Sequence, residues 1–195
     1  MVIDLKKCIG CHTCTIACKV KNGTKPGIFW NIVLDQERGT YPLVKRTFIP
    51  RPCMHCQKAP CIEVCPTRAS YRTEEGIVLI DENKCLGCKQ CMVACPYGAR
   101  YLNEAKGGYF TGTVTPAEEL LYSKRPRGIV EKCNFCASDI EEGKEPFCVT
   151  TCPLRARTFG NLQDPESEVA SLLAVRGGFN LLAELQTEPS VFYLL

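Results

Sequence analysis

Hydrophobic and polar positions alternate in many short segments along this chain, and no long stretch of apolar periodicity predicts one large core. Between residues 71 and 80 the pattern predicts two short strands, joined at Glu74-Glu75-Gly76 by the turn of a hairpin. Another apolar run predicts a strand over residues 43–49. We therefore expect an α+β protein of small elements, organised by local centres rather than by one apolar core.

Capping and breaking residues predict two helices in the second half of the chain. One begins after Thr115, which is a suitable N-cap, with Pro116 at the first helical position. The other opens at residues 164–166, carries an apolar face and ends at the glycine pair 177–178. The chain closes with the apolar residues 191–195, for which internal packing and docking to a partner subunit are the two interpretations.

Sixteen cysteines fall into four motifs within this pattern, and each motif ends in Cys-x-x-x-Cys. In chain order the motifs are Cys8, Cys11, Cys14, Cys18; Cys53, Cys56, Cys61, Cys65; Cys85, Cys88, Cys91, Cys95; and Cys133, Cys136, Cys148, Cys152. Proline follows the last cysteine of motifs two, three and four. The repeated unit is predicted to be a strand, a ligand loop, a short helix and a strand.

This spacing predicts cubane iron–sulfur clusters, which transfer single electrons. Closely spaced thiolates surround one cluster, whereas the last cysteine lies one helical turn farther on and turns toward a second cluster. Gly10 and Gly87 occupy the same place in motifs one and three, where a residue without Cβ lets backbone N–H groups turn toward sulfur. In motif one the helix is expected to continue to Lys21 and to stop at Asn22-Gly23.

Zinc and disulfides are the alternative uses of so many cysteines. Sixteen thiolates could hold four structural zinc ions, but zinc does not require a third cysteine two residues farther on or a recurring Cys-x-x-x-Cys-Pro. Disulfides suit small secreted domains, yet no apolar leader segment precedes Cys8. No stretch approaches the ~18 apolar residues of a membrane span, so we expect no insertion into a membrane by the chain itself.

The other polar residues predict no catalytic centre. The formal net charge is +3, and scattered cations are interpreted as a solvated surface that partly offsets negative clusters: Lys6, Lys7, Lys84, Lys89 and Lys132. No basic run with interleaved aromatic residues indicates nucleic acid as a partner. His12 and His55 lie inside ligand loops, where shielding of sulfur is expected and cluster tuning or proton delivery to a quinone are alternatives. No nucleophile with a paired base is present, so we expect no catalysis by this chain itself.

An internal repeat predicts the domain organisation. Residues 2–8 match residues 79–85, each as a short strand, an Asp turn and a first ligand. Motifs two and three are adjacent and predict a two-cluster, ferredoxin-like module over 51–105. Motifs one and four are then expected to pair as a second, discontinuous module. The predicted segments are 1–50 plus 128–160 for that module, 106–127 for an insertion, and 161–195 for a C-terminal helix and docking tail.

On these motifs the chain resembles the four-cluster ferredoxin-type subunits of molybdenum and tungsten bis-pterin oxidoreductases. Examples are the electron-transfer subunits of polysulfide/thiosulfate, arsenate and dimethyl sulfoxide reductases. The most specific marks are the second motif over 53–61, the eleven-residue gap between Cys136 and Cys148, and residues 159–165. The insertion at 107–127 is less characteristic.

The resemblance implies four [4Fe–4S] clusters, because the third motif keeps all its cysteines, and it implies their ligands. Cluster one would take Cys8, Cys11, Cys14 and Cys152; cluster two Cys133, Cys136, Cys148 and Cys18; cluster three Cys53, Cys56, Cys61 and Cys95; cluster four Cys85, Cys88, Cys91 and Cys65. By the same analogy the clusters form a chain in the order one to four. Cluster one would face a catalytic pterin subunit, and cluster four a membrane quinone-reactive subunit or another acceptor.

The function expected from this resemblance is electron transfer within an oxidoreductase complex of anaerobic respiration. A free polyferredoxin that serves several enzymes is the alternative. Within a complex, the chain would lie peripherally at the cytoplasmic membrane, on the periplasmic face if it is exported with a partner that carries a twin-arginine signal. Otherwise it would be cytoplasmic.

Overall fold

The computed structural model describes residues 1–104, 107–123 and 126–195. The predicted boundary at 105–106 and positions 124–125 of the predicted insertion lie outside the described residues. The strands are β1 (Val2–Asp4), β2 (Ile32–Arg38), β3 (Lys45–Arg51), β4 (Ser70–Arg72), β5 (Val78–Ile80), β6 (Tyr101–Leu102), β7 (Val130–Glu131), β8 (Arg157–Thr158) and β9 (Phe192–Leu194). The helices are α1 (Thr13–Asn22), α2 (Pro60–Glu63), α3 (Gln90–Val93), α4 (Pro116–Tyr122), α5 (Ala137–Glu141), α6 (Phe147–Thr150) and α7 (Glu168–Arg176).

A three-stranded sheet joins the two ends of the chain. Its central strand, β1, pairs antiparallel with β8, so that Val2 lies opposite Thr158. On its other side β1 pairs parallel with β9, so that Ile3 lies opposite Tyr193. All three residues of β1 are buried. The N-terminal strand is therefore held by segments that follow the last cysteine motif.

Two-stranded hairpins make up most of the remaining sheet structure. The predicted hairpin is confirmed, since β4 and β5 pair with Tyr71 opposite Leu79, and Gly76 in its turn has a φ of +84°. The predicted strand over 43–49 begins later, at Lys45, and its partner is β2. β6 pairs with β7, which joins the end of motif three to the strand that precedes motif four.

The internal repeat is visible in the backbone hydrogen bonds. The N–H of Asp4 donates to the carbonyl oxygen of Ala156 at 2.8 Å, and the N–H of Asp81 donates to that of Ala69 at 2.8 Å. Each aspartate then accepts the N–H two residues farther on at 3.0 Å, which forms the predicted Asp turn. β1 with β8 thus corresponds to β5 with β4.

One apolar core extends through both halves of the molecule. Buried side chains from the first strand, the loop of motif two, β5 and β9 belong to one continuous cluster, for example Ile3, Met54, Val78 and Tyr193. The prediction of separate local centres is wrong in this respect. The reason is that the two chain ends bring together apolar segments that are each too short to be recognised as a core in the sequence.

The last helix and tail pack on the first strand. α7 begins at Glu168, because the Ser167 hydroxyl accepts the N–H of Ala170, and not at 164–166 as predicted. It ends at Gly177, as predicted. Val169 of α7 contacts Val2 and Leu194 in a second apolar cluster.

The apolar C-terminal segment is part of the core. Val191 and Tyr193 are 0% exposed, and the Tyr193 hydroxyl donates to the carbonyl oxygen of Pro50 at 2.9 Å. The carbonyl groups of residues 187–188 accept the N–H groups of residues 57–58, in the loop of motif two. The prediction of a docking tail is therefore wrong for residues 191–194, which cross both halves and bury themselves in this chain.

Helix ends follow the predicted capping residues elsewhere. α1 ends at Asn22, and Gly23 follows with a φ of +57°. Thr115 caps α4 through a capping box in which its side chain and that of Glu118 exchange hydrogen bonds with each other's backbone N–H groups. Over the residues that the structure describes, no helix combines the length and apolar character needed to cross a membrane.

Candidate metal centres

Each cysteine loop contains a left-handed backbone turn before the second cysteine of its motif. In motifs one and three this position is glycine, with φ of +69° at Gly10 and +64° at Gly87. In motifs two and four it is aromatic, with φ of +44° at His55 and +54° at Phe135. Left-handed geometry is unfavourable for bulky residues, so packing must hold these two in place.

Close neighbours explain the two glycines further. A Cβ on Gly87 would lie 2.0 Å from the carbonyl oxygen of Gly128, and one on Gly10 would lie 2.4 Å from the ring of Phe48. At the other two loops, the rings of His55 and Phe135 stack on each other, with centroids 3.6 Å apart and planes inclined by 17°. The two aromatic loops therefore face each other at the centre of the molecule.

The sixteen cysteines lie around four cavities, each lined by three cysteines of one motif and the last cysteine of another. Site one is lined by Cys8, Cys11, Cys14 and Cys152; site two by Cys18, Cys133, Cys136 and Cys148; site three by Cys53, Cys56, Cys61 and Cys95; site four by Cys65, Cys85, Cys88 and Cys91. The cavities are similar in size, from about 320 Å³ to about 370 Å³. The structure thus brings together the four quartets implied by the family resemblance.

The four sites differ in depth. Cys11 of site one and Cys88 of site four are exposed, and both follow the glycine of their loop. All four cysteines of site two are buried, and in site three only Cys95 is partly exposed. Sites one and four are therefore at the surface, and sites two and three are enclosed.

Each site supplies hydrogen-bond donors to sulfur. The N–H of Ala156 lies 3.3 Å from the Cys152 sulfur in site one, and that of Ser70 lies 3.4 Å from the Cys65 sulfur in site four. In site two the Asn22 side-chain amide lies 3.5 Å from the Cys18 sulfur. Such donors stabilise negative charge on sulfur and tune the potential of a bound cluster.

Two buried arginines reach cysteines of successive sites. Arg157 is 3% exposed, and its guanidinium nitrogens lie 3.4 Å from the sulfur of Cys14 (site one) and 3.6 Å from that of Cys148 (site two). Arg100 is also 3% exposed, lines both site three and site four, and lies 2.9 Å from the sulfur of Cys61. Each arginine stands five positions after the last cysteine of its motif, at Cys152 and Cys95.

Lys132 is a third buried cation, and its interpretation as a solvated surface residue is wrong. It is 3% exposed, because β5 covers it: its Nζ donates to the carbonyl oxygen of Val78 and to that of Cys133, the latter at 2.7 Å. Lys6, Lys7, Lys84 and Lys89 are exposed, as predicted. Lys132 therefore lies between site two, which contains Cys133, and site three, which Val78 lines.

The thiols have environments that match their depth. Burial, followed by the charge of Cys148, raises the pKa of Cys133 to about 12, and burial raises that of Cys56 to about 11. At the surface, the Thr13 side chain lowers the pKa of Cys11. Without metal the enclosed thiols are protonated at neutral pH, so metal binding there releases protons.

The two histidines occupy different environments. His12 is exposed beside site one, whereas His55 is fully buried and accepts the N–H of Val78 at its Nδ1, 3.0 Å away. Burial, followed by the nearby charge of Lys132, lowers the pKa of His55 well below its usual range. A neutral, enclosed ring suits shielding between sites two and three better than proton delivery.

The donor set fits iron–sulfur clusters better than single zinc ions. Among the described residues, which include every cysteine, no three His, Cys, Asp or Glu side chains converge closely enough for one ion. Four thiols surround a space in each site, N–H groups point at sulfur, and buried cations lie alongside. Such cations need negative partners, and a thiolate-ligated cluster carries net negative charge.

Family models assign this arrangement of cysteines. Residues 44–115 and 116–162 match the model of the 4Fe-4S dicluster domain, and residues 5–21 match that of a 4Fe-4S binding domain. The chain belongs to the 4Fe-4S dicluster family. The expected iron–sulfur cofactor is thereby confirmed, and the sixteen cysteines of this dicluster protein are enough for four [4Fe–4S] clusters.

Curated relatives of this dicluster protein match along its whole length. One of the subunits of the selenate reductase of Mesobacillus selenatarsenatis is 45% identical, over all of this chain and 70% of the relative. The arsenate respiratory reductase iron–sulfur subunit of Shewanella sp. strain ANA-3 is 39% identical, over all of this chain and 94% of the relative. The menaquinone reductase iron–sulfur cluster-binding subunit of Nitratidesulfovibrio vulgaris is 38% identical, over all of this chain and 87% of the relative. The resemblance stated from the motifs is confirmed.

Sequence reasoning missed the residues that lie between the sites. Arg100 and Arg157 come directly after the repeated alanines Ala99 and Ala156, so the repeat itself, read one residue farther, was the signal that could have found them. Trp30 belongs to no motif, yet it is buried and lines site two. For Lys132 no sequence signal distinguishes it from the exposed Lys84, which also precedes the first cysteine of a motif.

Proposed function

We propose that this chain is the electron-transfer subunit of an oxidoreductase complex, with one [4Fe–4S] cluster in each of sites one to four. The sixteen cysteines of those sites are the proposed iron ligands, in the quartets given above. Bound clusters supply one-electron oxidation and reduction. The protein's own contribution is to hold sulfur, donate hydrogen bonds to it and exclude water from the two inner sites.

The depth of the sites is the observation that supports this function most directly. The two surface sites offer points at which electrons enter and leave, through the exposed loops of Cys11 and Cys88. The enclosed sites connect them: Arg157 contacts sites one and two, the stacked rings of His55 and Phe135 lie between sites two and three, and Arg100 lines sites three and four. These contacts support a linear relay in the order one, two, three, four.

The proposed partners follow from the relatives and from the two exposed ends. One relative is named as a subunit of a selenate reductase, and others are named as iron–sulfur subunits of an arsenate reductase and of a menaquinone reductase. We propose a molybdenum or tungsten bis-pterin catalytic subunit at site one and a quinone-reactive membrane subunit, or another redox partner, at site four. The chain would then lie peripherally at the membrane. The two ferredoxin-like modules, one continuous and one formed from both chain ends, are part of the same proposal.

Isolation of the native complex tests the function. The chain is expected to co-purify with a pterin-containing subunit and to hold about sixteen irons and sixteen sulfides per polypeptide. Reduction of its clusters by the catalytic partner's electron donor, or oxidation by its acceptor, should follow mixing of the subunits. Migration of all native material as a free monomer that exchanges electrons with several enzymes would instead support the free polyferredoxin. An iron content near zero with bound zinc would contradict both.

The assignment of the surface sites is tested by paired substitutions. Cys11→Ser and Cys88→Ser each remove one proposed ligand from an exposed site, and each is expected to lower the iron content by one cluster or part of one. Electron exchange with the catalytic partner should be lost in Cys11→Ser and retained in Cys88→Ser. The reverse result would turn the proposed relay around.

A further inference from the structure

Three buried cations occupy the three junctions of the proposed relay. Arg157 lies between sites one and two, Lys132 between sites two and three, and Arg100 between sites three and four. Each is 3% exposed. The inference below rests on the proposed function and adds to it the residues that set the energies of its steps.

The partners of these cations are sulfur and neutral groups. Beyond sulfur, Arg157 donates to the Asn31 side-chain oxygen at 2.7 Å and Arg100 donates to the Ser70 hydroxyl at 2.8 Å. Lys132 donates to backbone carbonyl groups. Within the described part of the chain, none of the three forms an ion pair with a carboxylate.

A buried cation without a carboxylate is unfavourable unless another negative group lies nearby. Here the negative groups in reach are the cysteine sulfurs of two successive sites, at 3.4 Å and 3.6 Å from Arg157 and at 2.9 Å from Arg100. The same two arginines stand at equivalent positions of the internal repeat, so the arrangement occurs twice. Lys132 serves the one junction that the repeat does not provide with an arginine.

We propose that Arg157, Lys132 and Arg100 are the fixed positive charges of the relay, each of which raises the reduction potentials of the two clusters on either side of it. Reduction adds one negative charge to a cluster, and a cation a few ångströms away in a medium of low dielectric stabilises that added charge. A cation between two clusters stabilises the electron on either of them. Each junction cation therefore makes both reduced states more favourable and keeps their energies together.

Redox titrations of the purified full-length chain, followed by electron paramagnetic resonance, test this inference. Arg157→Gln, Lys132→Gln and Arg100→Gln each remove one junction charge. Each is expected to weaken reduction of its two flanking clusters at least tenfold, a shift of about −59 mV for a one-electron couple, and to leave the other two clusters unchanged. Single Cys→Ser substitutions in each site assign the signals to clusters.

Matched surface variants are the controls. Arg155→Gln removes the same charge two residues before Arg157 but from an exposed side chain, and Lys84→Gln removes an exposed lysine from the position equivalent to Lys132. Screening by water predicts much smaller shifts for both. Junction variants that keep their iron and shift no more than these controls would overturn the inference.

Charge-preserving variants separate charge from shape. Arg157→Lys, Arg100→Lys and Lys132→Arg are expected to keep the potentials of the unaltered protein within the shifts of the surface controls. Where a glutamine variant loses a cluster, retention of all clusters and potentials in the charge-preserving variant supports the inference, and loss in both variants overturns it. Iron content distinguishes this failure from that of the function: an unaltered chain with far fewer than about sixteen irons contradicts the relay itself.

Discussion

The half of the molecule that holds sites three and four comes from one continuous stretch of chain, whereas the half that holds sites one and two is assembled from both chain ends. In the first, β4 and β5 are consecutive strands that pair as a hairpin. In the second, the equivalent pair is β1 with β8, and β9 adds a third strand on the other side of β1. The same unit is thus closed locally in one half and by distant segments in the other.

The chemistry of the two halves is nevertheless alike. Arg100 and Arg157 reach sulfur from equivalent positions, and Gly87 and Gly10 make the same left-handed turn. The comparison teaches that the environment of each site is encoded within the repeated unit, while the stability of the unit depends on how its strands are closed. Perturbing the closure should therefore separate the two halves, and perturbing the repeat should affect both.

Removal of residues 191–195 is expected to have the largest effect, because it deletes β9 and uncovers β1. Sites one and two should lose their iron, so that the content falls from about sixteen to about eight irons per chain, while sites three and four retain theirs. Iron and sulfide analysis after reconstitution measures this. Removal of Leu195 alone, which is 71% exposed, is the control and should change nothing. Equal loss from both halves would contradict the comparison.

Gly87→Ala is expected to have the next largest effect. Its Cβ would meet a backbone carbonyl oxygen, which cannot move aside, in addition to the strain of a left-handed alanine, for a combined cost above ~2 kcal/mol. Gly10→Ala should be milder, since the ring of Phe48 can rotate away. Gly98→Ala, with a φ of +56° and open space around the Cβ, isolates the strain alone, about 1 kcal/mol. Midpoints of urea-induced loss of visible cluster absorbance rank the three variants, and equal midpoints would refute the steric argument.

Tyr193→Phe tests the closure of the discontinuous half without deleting it. The substitution leaves the Pro50 carbonyl group without the buried hydroxyl that donates to it, at a cost of about 1–3 kcal/mol. The midpoint of urea-induced cluster loss should fall accordingly, with iron content unchanged before urea is added. Phe192→Tyr, at a partly buried neighbour, adds a hydroxyl instead of removing one and is expected to have less effect. An unchanged midpoint in Tyr193→Phe would show that this hydrogen bond does not stabilise the closure.

The smallest expected effect distinguishes two equivalent aspartates. Asp4 pairs with Arg176 of α7 at 2.5 Å and has a side chain 9% exposed, whereas Asp81 pairs with Lys84 at 3.1 Å and is 27% exposed. Asn preserves the Asp turn and removes the charge. Asp4→Asn should therefore lower the urea midpoint slightly, and Asp81→Asn should leave it unchanged.

The pH dependence of the Asp4 contribution has a definite sign. The hydrogen bond from Arg176 lowers the pKa of Asp4 below its ordinary value of 3.8. Stability from this pair is therefore present above the ordinary pKa and is lost as the pH falls through the lowered value. The difference between unaltered protein and Asp4→Asn should shrink only in that acidic range, and a difference that grows on acidification would contradict the pairing.

Motif spacing predicted much of this molecule, because the relevant interactions are local. The turn of the β4–β5 hairpin, the cap at Thr115 and the stop at Gly23 follow from neighbouring residues. The pairing of β1 with β9 could not be predicted, since parallel strands from opposite chain ends leave no short-range signal. Burial of Lys132 depends likewise on the distant β5, so its sequence context resembles that of an exposed lysine.

The pairing of β1 with β8 and β9 also sets an order for maturation. On the proposed ligand sets, every cysteine of site three has left the ribosome once Cys95 emerges, and site four is complete even earlier. Site one begins with the oldest cysteines of the nascent chain, Cys8, Cys11 and Cys14, yet waits for Cys152 and for the final strand. The first thiols to be synthesised are therefore among the last to be enclosed, and during translation they depend on the cell's reducing environment to stay free of oxidation.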